Sequence, residues 1–155
     1  MKSADKAYIA GFLDGDGSII AQLVRRKDYK YGFQIRISVV FFQKTIREAC
    51  LKRIQKELKA GYIRKRKDIS DLTIVGFQEV KRVLKPLLPH LRIKNLLAKE
   101  VLDIIETHEQ MEIISARKFI SLCKMVDKTS LHNYSKNEAY IAQMLFPSLK
   151  TKVSP

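Results

Sequence analysis

The chain has 155 residues, 46% of them hydrophobic, and carries 30 Lys and Arg against 16 acidic residues, a net charge of +14. That length fits one domain with a real core, and the charge points to a polyanionic partner. No apolar run approaches the roughly 18 residues of a membrane span, the N-terminus lacks a signal-peptide core or Arg-rich transit character, and two distant cysteines, Cys50 and Cys123, form no metal pair or disulfide framework. Both cysteines are expected as buried, reduced thiols in a reducing compartment.

In chain order, Asp5 is expected to cap a first helix over about residues 6–15, with Ile9 and Leu13 toward the core. Ala7, Gly11 and Gly15 recur at every fourth position, so they form one stripe of minimal side chains. Such a stripe admits a second backbone at close range, and a dimer pairing these helices brings two copies of the helix end together. The period then changes to two. Ile19, Ala21 and Leu23 alternate with Gln22, Val24 and Arg26; after a charged loop holding Tyr29, residues Phe33, Ile35, Ile37, Val39 and Phe41 alternate with Gln34, Arg36 and Ser38. This reads as an antiparallel hairpin.

Thr45 is expected to cap a second helix reaching Lys59, with Gly61 ending it. A second hairpin turns Tyr62, Arg64 and Arg66 one way, with Asp71 and Thr73 alternating against Leu72 and Ile74. Helices follow over about 77–85, stopped by Pro86, and over 94–107; weaker ones are expected near 116–127 and 136–145. The order gives one α+β domain, core about 5–107 and helical tail about 115–150, with an antiparallel sheet covered by helices on one face.

The other sheet face is polar and basic. Residues 22–38 hold five basic side chains against one acid, and residues 59–71 five against two, which places half of the net charge on two hairpins. Arg and Gln can read guanine and adenine in a bidentate manner, and a two-stranded ribbon fits the major groove. Strands of about ten residues at ~3.3 Å each span ~33 Å, or about nine to ten base pairs. The candidate DNA-reading set is Gln22, Val24, Arg26, Tyr29, Gln34, Arg36, Ser38, Arg64, Arg66, Asp71 and Thr73; Val24 and Val40 offer apolar contact to thymine methyls.

Asp14 and Asp16 suggest a divalent cation. A calcium EF-hand is excluded, since its sixth and twelfth positions would be Ile19 and Arg25 rather than Gly and Glu. Two residues apart, the acids do not share a helix face. Asp16 is the expected metal ligand and Asp14 the hydrogen-bonding partner that holds the turn. One carboxylate is a poor site; two, from a symmetric pair, suffice together with phosphate oxygens. His90, His108 and His132 are scattered and form no nuclease motif.

The segment Ile9-Ala10-Gly11-Phe12-Leu13-Asp14-Gly15-Asp16-Gly17 resembles the signature of the LAGLIDADG homing endonucleases. The likeness continues through Ser18-Ile19-Ile20-Ala21-Gln22, Gln43-Lys44-Thr45, Gly61-Tyr62-Ile63-Arg64 and Leu91-Arg92-Ile93-Lys94, over roughly residues 7–106. It implies an αββαββα saddle and a homodimer joined along Ala7, Gly11 and Gly15. It also implies double-strand cleavage of a long pseudo-palindromic DNA site across the minor groove, leaving 3′ overhangs. By the same resemblance Mg2+ is the cofactor, with Mn2+ as a substitute, held by the Asp16 carboxylate and the Gly15 carbonyl. Gln43, Arg47 and Lys94 order water and charge around the scissile phosphate. The expected partners are double-stranded DNA and a second copy, with no membrane and no small-molecule substrate; the expected compartment is an organelle interior. An RNA-binding intron maturase or a DNA-binding regulator on the same scaffold is the alternative.

Overall fold

A computed structural model describes residues 1–133; the helix expected near 136–145 lies outside the described residues. The elements run α1 (Ser3–Asp16), β1 (Gly17–Arg25), β2 (Phe33–Lys44), α2 (Glu48–Leu58), β3 (Tyr62–Lys65), β4 (Ile69–Val75), α3 (Phe77–Leu87), α4 (Asn95–Glu109) and α5 (Ala116–Ser130). All strand pairs are antiparallel and the sheet order is β1-β2-β4-β3, so the longest strand, β2, lies inside the sheet and joins the two hairpins. This is the α+β order expected from the alternation of periods, and the αββαββα order implied by the family resemblance.

The inward residues of β1 and β2 are those the alternation selects: Ile19, Ile37, Val39 and Phe41 are buried against Ile9 and Leu13 of α1, with Leu51, Leu72, Leu84 and Ile104 completing the centre. Burying a Leu or Ile side chain contributes about 1.5–3 kcal/mol, so this face holds the fold together. No helix among the described residues is long and apolar enough to cross a membrane.

Several local expectations are corrected. Asp5 lies in the first turn of α1, whose N-cap is Lys2. Thr45 does not cap a long helix; its hydroxyl donates to the Arg66 carbonyl at 2.9 Å and lies 3.1 Å from Ser70 Oγ. A short 3-10 turn, Thr45–Arg47, therefore intervenes before α2. The left-handed residue ending α2 is Lys59 (φ 50°), not Gly61. Gly61 instead opens β3 at φ 81°, where a Cβ would stand 2.7 Å from the Thr73 carbonyl oxygen. α3 runs through Pro86 to Leu87, since a proline in the last turn forfeits only one backbone donor. Of the two cysteines, Cys123 is buried, and that burial pushes its thiol up to about 12. Cys50 is only half-buried, with its sulfur 3.5 Å from the Tyr8 hydroxyl.

Candidate active site and nucleic-acid interface

The end of α1 sorts its two acids by direction. The Asp14 carboxylate turns back into its own chain and accepts the backbone N–H groups of Arg92 (2.8 Å), Ile93 (3.2 Å) and Lys94 (2.9 Å). The Lys94 ammonium closes the loop by donating to the Asp14 carbonyl. Desolvation works to raise the Asp14 pKa, but the three backbone donors and the Lys94 charge outweigh it and hold the carboxyl below its usual range. Asp16, the last residue of the helix, is exposed and makes no side-chain hydrogen bond or ion pair among the described residues.

Asp14 therefore stabilises the junction, and the effect has a pH signature. Its folded pKa lies below the unfolded value, so its contribution is complete above about pH 4 and fades as the pH falls through the lower folded value. Asp14→Ala is expected to cost roughly 2–3 kcal/mol at pH 7, as charged hydrogen-bond acceptors of this kind do. Urea denaturation across a pH series should show the variant and the parent converging in acid.

The turn after Asp16 needs a residue without a side chain: a Cβ on Gly17 would stand 2.6 Å from Leu13 Cδ1 and 2.9 Å from the Leu13 carbonyl oxygen. Gly11 and Gly15 are different. A Cβ on either would meet nothing within 4 Å, and both are exposed, as is Ala7. Nothing in the described fold demands glycine at residues 11 and 15, where it costs a helix about 1 kcal/mol relative to alanine. Exposed apolar side chains flank the stripe: Tyr8 (53% exposed) on α1, and Ile93 (76%) and Leu96 (66%) on the segment tied to Asp14. That apolar flank was not read from the sequence, because an isoleucine between Arg92 and Lys94 carries no periodicity.

Gly17 pairs with Phe41, so Gln43, two residues further along β2, sits at the end of the sheet where α1 enters. Gln43 is half-buried and its Oε1 accepts the Lys44 N–H at 2.8 Å. Arg47 is exposed on the 3-10 turn that continues β2. Lys94 reaches the same end through Asp14. Gly15, Asp16 and the Asp14-bound Lys94 thus lie at the α1–β1 junction, and Gln43 follows the β2 residue paired with Gly17 by two, with Arg47 on the next turn. No group of three or more His, Cys, Asp or Glu that could hold a metal exists among the described residues. A single exposed carboxylate is by itself too few donors for a divalent cation, which takes one or two carboxylates with phosphate oxygens and water.

The outward sheet face is a floor with walls. Gln22 stands opposite Arg36, and Val24 opposite Gln34. Ser38, Val40 and Thr73 face outward but lie low, at 6–7% exposure in the middle of the sheet. Asp71 corrects the expectation of a DNA-reading carboxylate: it is fully buried. Its Oδ1 accepts Arg64 Nε at 3.2 Å and forms an ion pair with Arg66 Nε at 3.2 Å, and its Oδ2 accepts Arg64 Nη2 at 3.3 Å and Thr73 Oγ1 at 2.9 Å. The physical reason is crowding at the sheet centre, where two long arginines lie over a short acid. Asp71 instead holds the two arginines in place. With Arg64 and Arg66 as the candidate base readers, Asp71→Asn is expected to lower base discrimination about tenfold at two or so positions of each half-site, checked by binding to single-substitution sites.

Arg26 and Tyr29 lie beyond β1 in the loop, and Arg66 beyond β3; all three are exposed. The same face also holds Tyr62 (52% exposed), as expected beside Arg64, and residues the sequence reading passed over: Ile20, Lys44, Phe42 (37%) and Ile69 (51%). Carrying the strict alternation to the true strand ends would have found them.

The model of the LAGLIDADG endonuclease family matches residues 9–111. The chain is 38% identical over 145 residues to the DNA endonuclease I-CvuI of Chlorella vulgaris, covering 93% of this chain and 89% of that protein. It is 37% identical over 129 residues to the DNA endonuclease I-CreI of Chlamydomonas reinhardtii, covering 83% of this chain and 78% of that one. The crystal structure of I-CvuI with the I-CreI target DNA, uncleaved in 2 mM Mg, superposes with a TM-score of 0.85 at 34% identity over 97% of each chain.

Proposed function

Since the chain belongs to the LAGLIDADG endonuclease family, we propose that two copies pair along α1 and cut both strands of a long, pseudo-palindromic DNA site. One observation carries this reading. The glycine stripe and Asp16 are solvent-facing and unused within the single chain, at adjoining positions of one helix. Docking the stripe on its own copy places a second carboxylate beside the first.

Each part of the site then has a task. The Asp16 carboxylate and Gly15 carbonyl of each copy are the donors for Mg2+, or Mn2+ in its place, with phosphate oxygens and water filling the remaining positions. A divalent cation bound there supplies polarisation of the phosphate and a water of lowered pKa. Gln43 holds solvent by its amide. Lys94, anchored to Asp14, and Arg47, on its exposed turn, place positive charge where the pentavalent phosphorus gathers negative charge. The outward faces of β1–β4 follow the groove and read bases through Gln22, Gln34, Arg36, Arg64 and Arg66, while Ser38, Val40 and Thr73 shape the floor.

A maturase or regulator needs no exposed acid at the helix end, so Asp16 favours cleavage over binding alone. By the same family likeness, the proposed compartment is an organelle interior. Selection of cleaved products from a random DNA library in Mg2+ is the test. The reading expects linear products only when divalent cation is present, enriched for sites of about twenty base pairs related by a twofold axis. A library that yields bound but uncut DNA contradicts it.

A further inference from the structure

β2 is longer than its inner neighbour, and the mismatch leaves an open edge. β4 pairs with β2 only from Ser38 to Lys44. At Gly76 (φ 104°) the chain turns away into α3, and the last bond to β2 is the Gly76 N–H donating to the Ile37 carbonyl at 3.1 Å. Residues 33–37 therefore pair with β1 on one side and, among the described residues, with no strand on the other.

The ladder fixes which groups face that open side. The Arg26 N–H donates to the Gly32 carbonyl. By the alternation of an antiparallel pair, Gln34 and Arg36 bond to β1, whereas Phe33, Ile35 and Ile37 direct their N–H and C=O groups away from it. The N–H and C=O groups of Phe33 and Ile35 meet no partner among the described residues. Yet these residues are only 8% exposed. Sheltered, unpaired backbone groups of this kind are uncommon in folded proteins.

Beside the edge lies a cavity of about 710 Å³. Its far wall is apolar: Tyr31 stacks on Phe119 at 4.9 Å, Phe77 packs edge-on against His108, and Ile113 is 75% exposed at the mouth. Lys30 and Arg36 bring two positive charges to its lining, against the single negative charge of Glu112.

We propose that this edge receives an extended peptide segment of a partner protein, added as a strand beside β2, with apolar residues at alternate positions and acidic residues between them. Strand addition satisfies the backbone groups of Phe33 and Ile35. The residues opposite them turn their side chains inward, into the Tyr31–Phe119 wall. The intervening acids face Lys30 and Arg36. A nucleic acid matches neither the apolar wall nor a row of amide donors and acceptors. A small apolar molecule fills the wall and leaves the edge unpaired.

The probe is a capped ten-residue peptide of alternating valine and glutamate, added to the whole protein. Residue-resolved amide hydrogen exchange should slow about tenfold or more at Phe33 and Ile35, and stay unchanged at Gln34 and Arg36, which already bond to β1. The same peptide methylated at every valine nitrogen keeps its charge and loses the paired donors, so it should bind about tenfold more weakly or worse. Ile113→Asp, at an exposed position, should weaken binding while leaving DNA cleavage unchanged. Exchange unaltered at saturating peptide, or equal binding of the methylated peptide, overturns the proposal. So does uptake of anilinonaphthalene sulfonate by the cavity with no peptide protection at Phe33 and Ile35, which assigns the cavity to a small apolar ligand.

Discussion

Asp16→Asn is expected to reduce DNA cleavage by roughly a thousandfold or more while site binding stays within a few-fold. The asymmetry follows from where the side chain sits. Asp16 is exposed at the end of α1 and bonds to no side chain or backbone group among the described residues, so its loss leaves the fold intact. Asparagine keeps the shape and removes the charge. In the proposed dimer both acids disappear together, and the phosphate oxygens alone are left as anionic donors for the cation. The proposed base-reading residues lie on the sheet, on separate elements from this helix end, so affinity for the site is expected to survive. Plasmid linearisation in Mg2+, alongside a gel-shift titration, separates the two effects. Efficient linearisation by the variant contradicts the assignment of Asp16.

Gly11→Leu is expected to give a folded but monomeric, inactive chain. A Cβ at Gly11 meets nothing within 4 Å, so leucine is accommodated within the single chain and, as a better helix former, mildly favours α1. Across a close helix pair the same side chain stands where the other backbone must lie. Overpacking of that kind costs about 1–3 kcal/mol per site, and a symmetric interface incurs it twice. The expected loss in dimer affinity is therefore on the order of thirtyfold to twenty-thousandfold. Thermal melting checks the fold and light scattering the mass. A Gly11→Leu protein that stays dimeric and cuts DNA contradicts the proposed interface.

The strands and the motif helix were legible because their signals are local. The change from a period near four to a period of two at Asp16–Ser18 marks the helix-to-strand junction in the residues themselves. What was misread depends on long-range contacts. Thr45 has the chemistry of a helix cap, but its hydroxyl is taken by Arg66 and Ser70 from the second hairpin. Asp71 alternates with the outward residues as expected, yet its depth depends on Arg64 and Arg66 folding over it. That Asp14 and Asp16 point different ways was readable from their spacing, while the three backbone donors to Asp14 at Arg92–Lys94 come from 78 to 80 residues away. The family resemblance pointed to Gln43, Arg47 and Lys94, positions whose residue types alone are ordinary for a strand end, a turn and a helix start. The open edge of β2 has no sequence signal, since it arises from a difference in length between strands far apart in the chain.

The account rests on two chains meeting at α1 over one duplex. Sedimentation equilibrium of the Asp16→Asn protein on a site recovered from the library measures this directly, in Mg2+ and without cleavage. The predicted mass is that of two chains per duplex, and Gly11→Leu introduced into the same protein should lower it to one. A single Asp16→Asn chain bound tightly and specifically to the full-length site would contradict the shared active site.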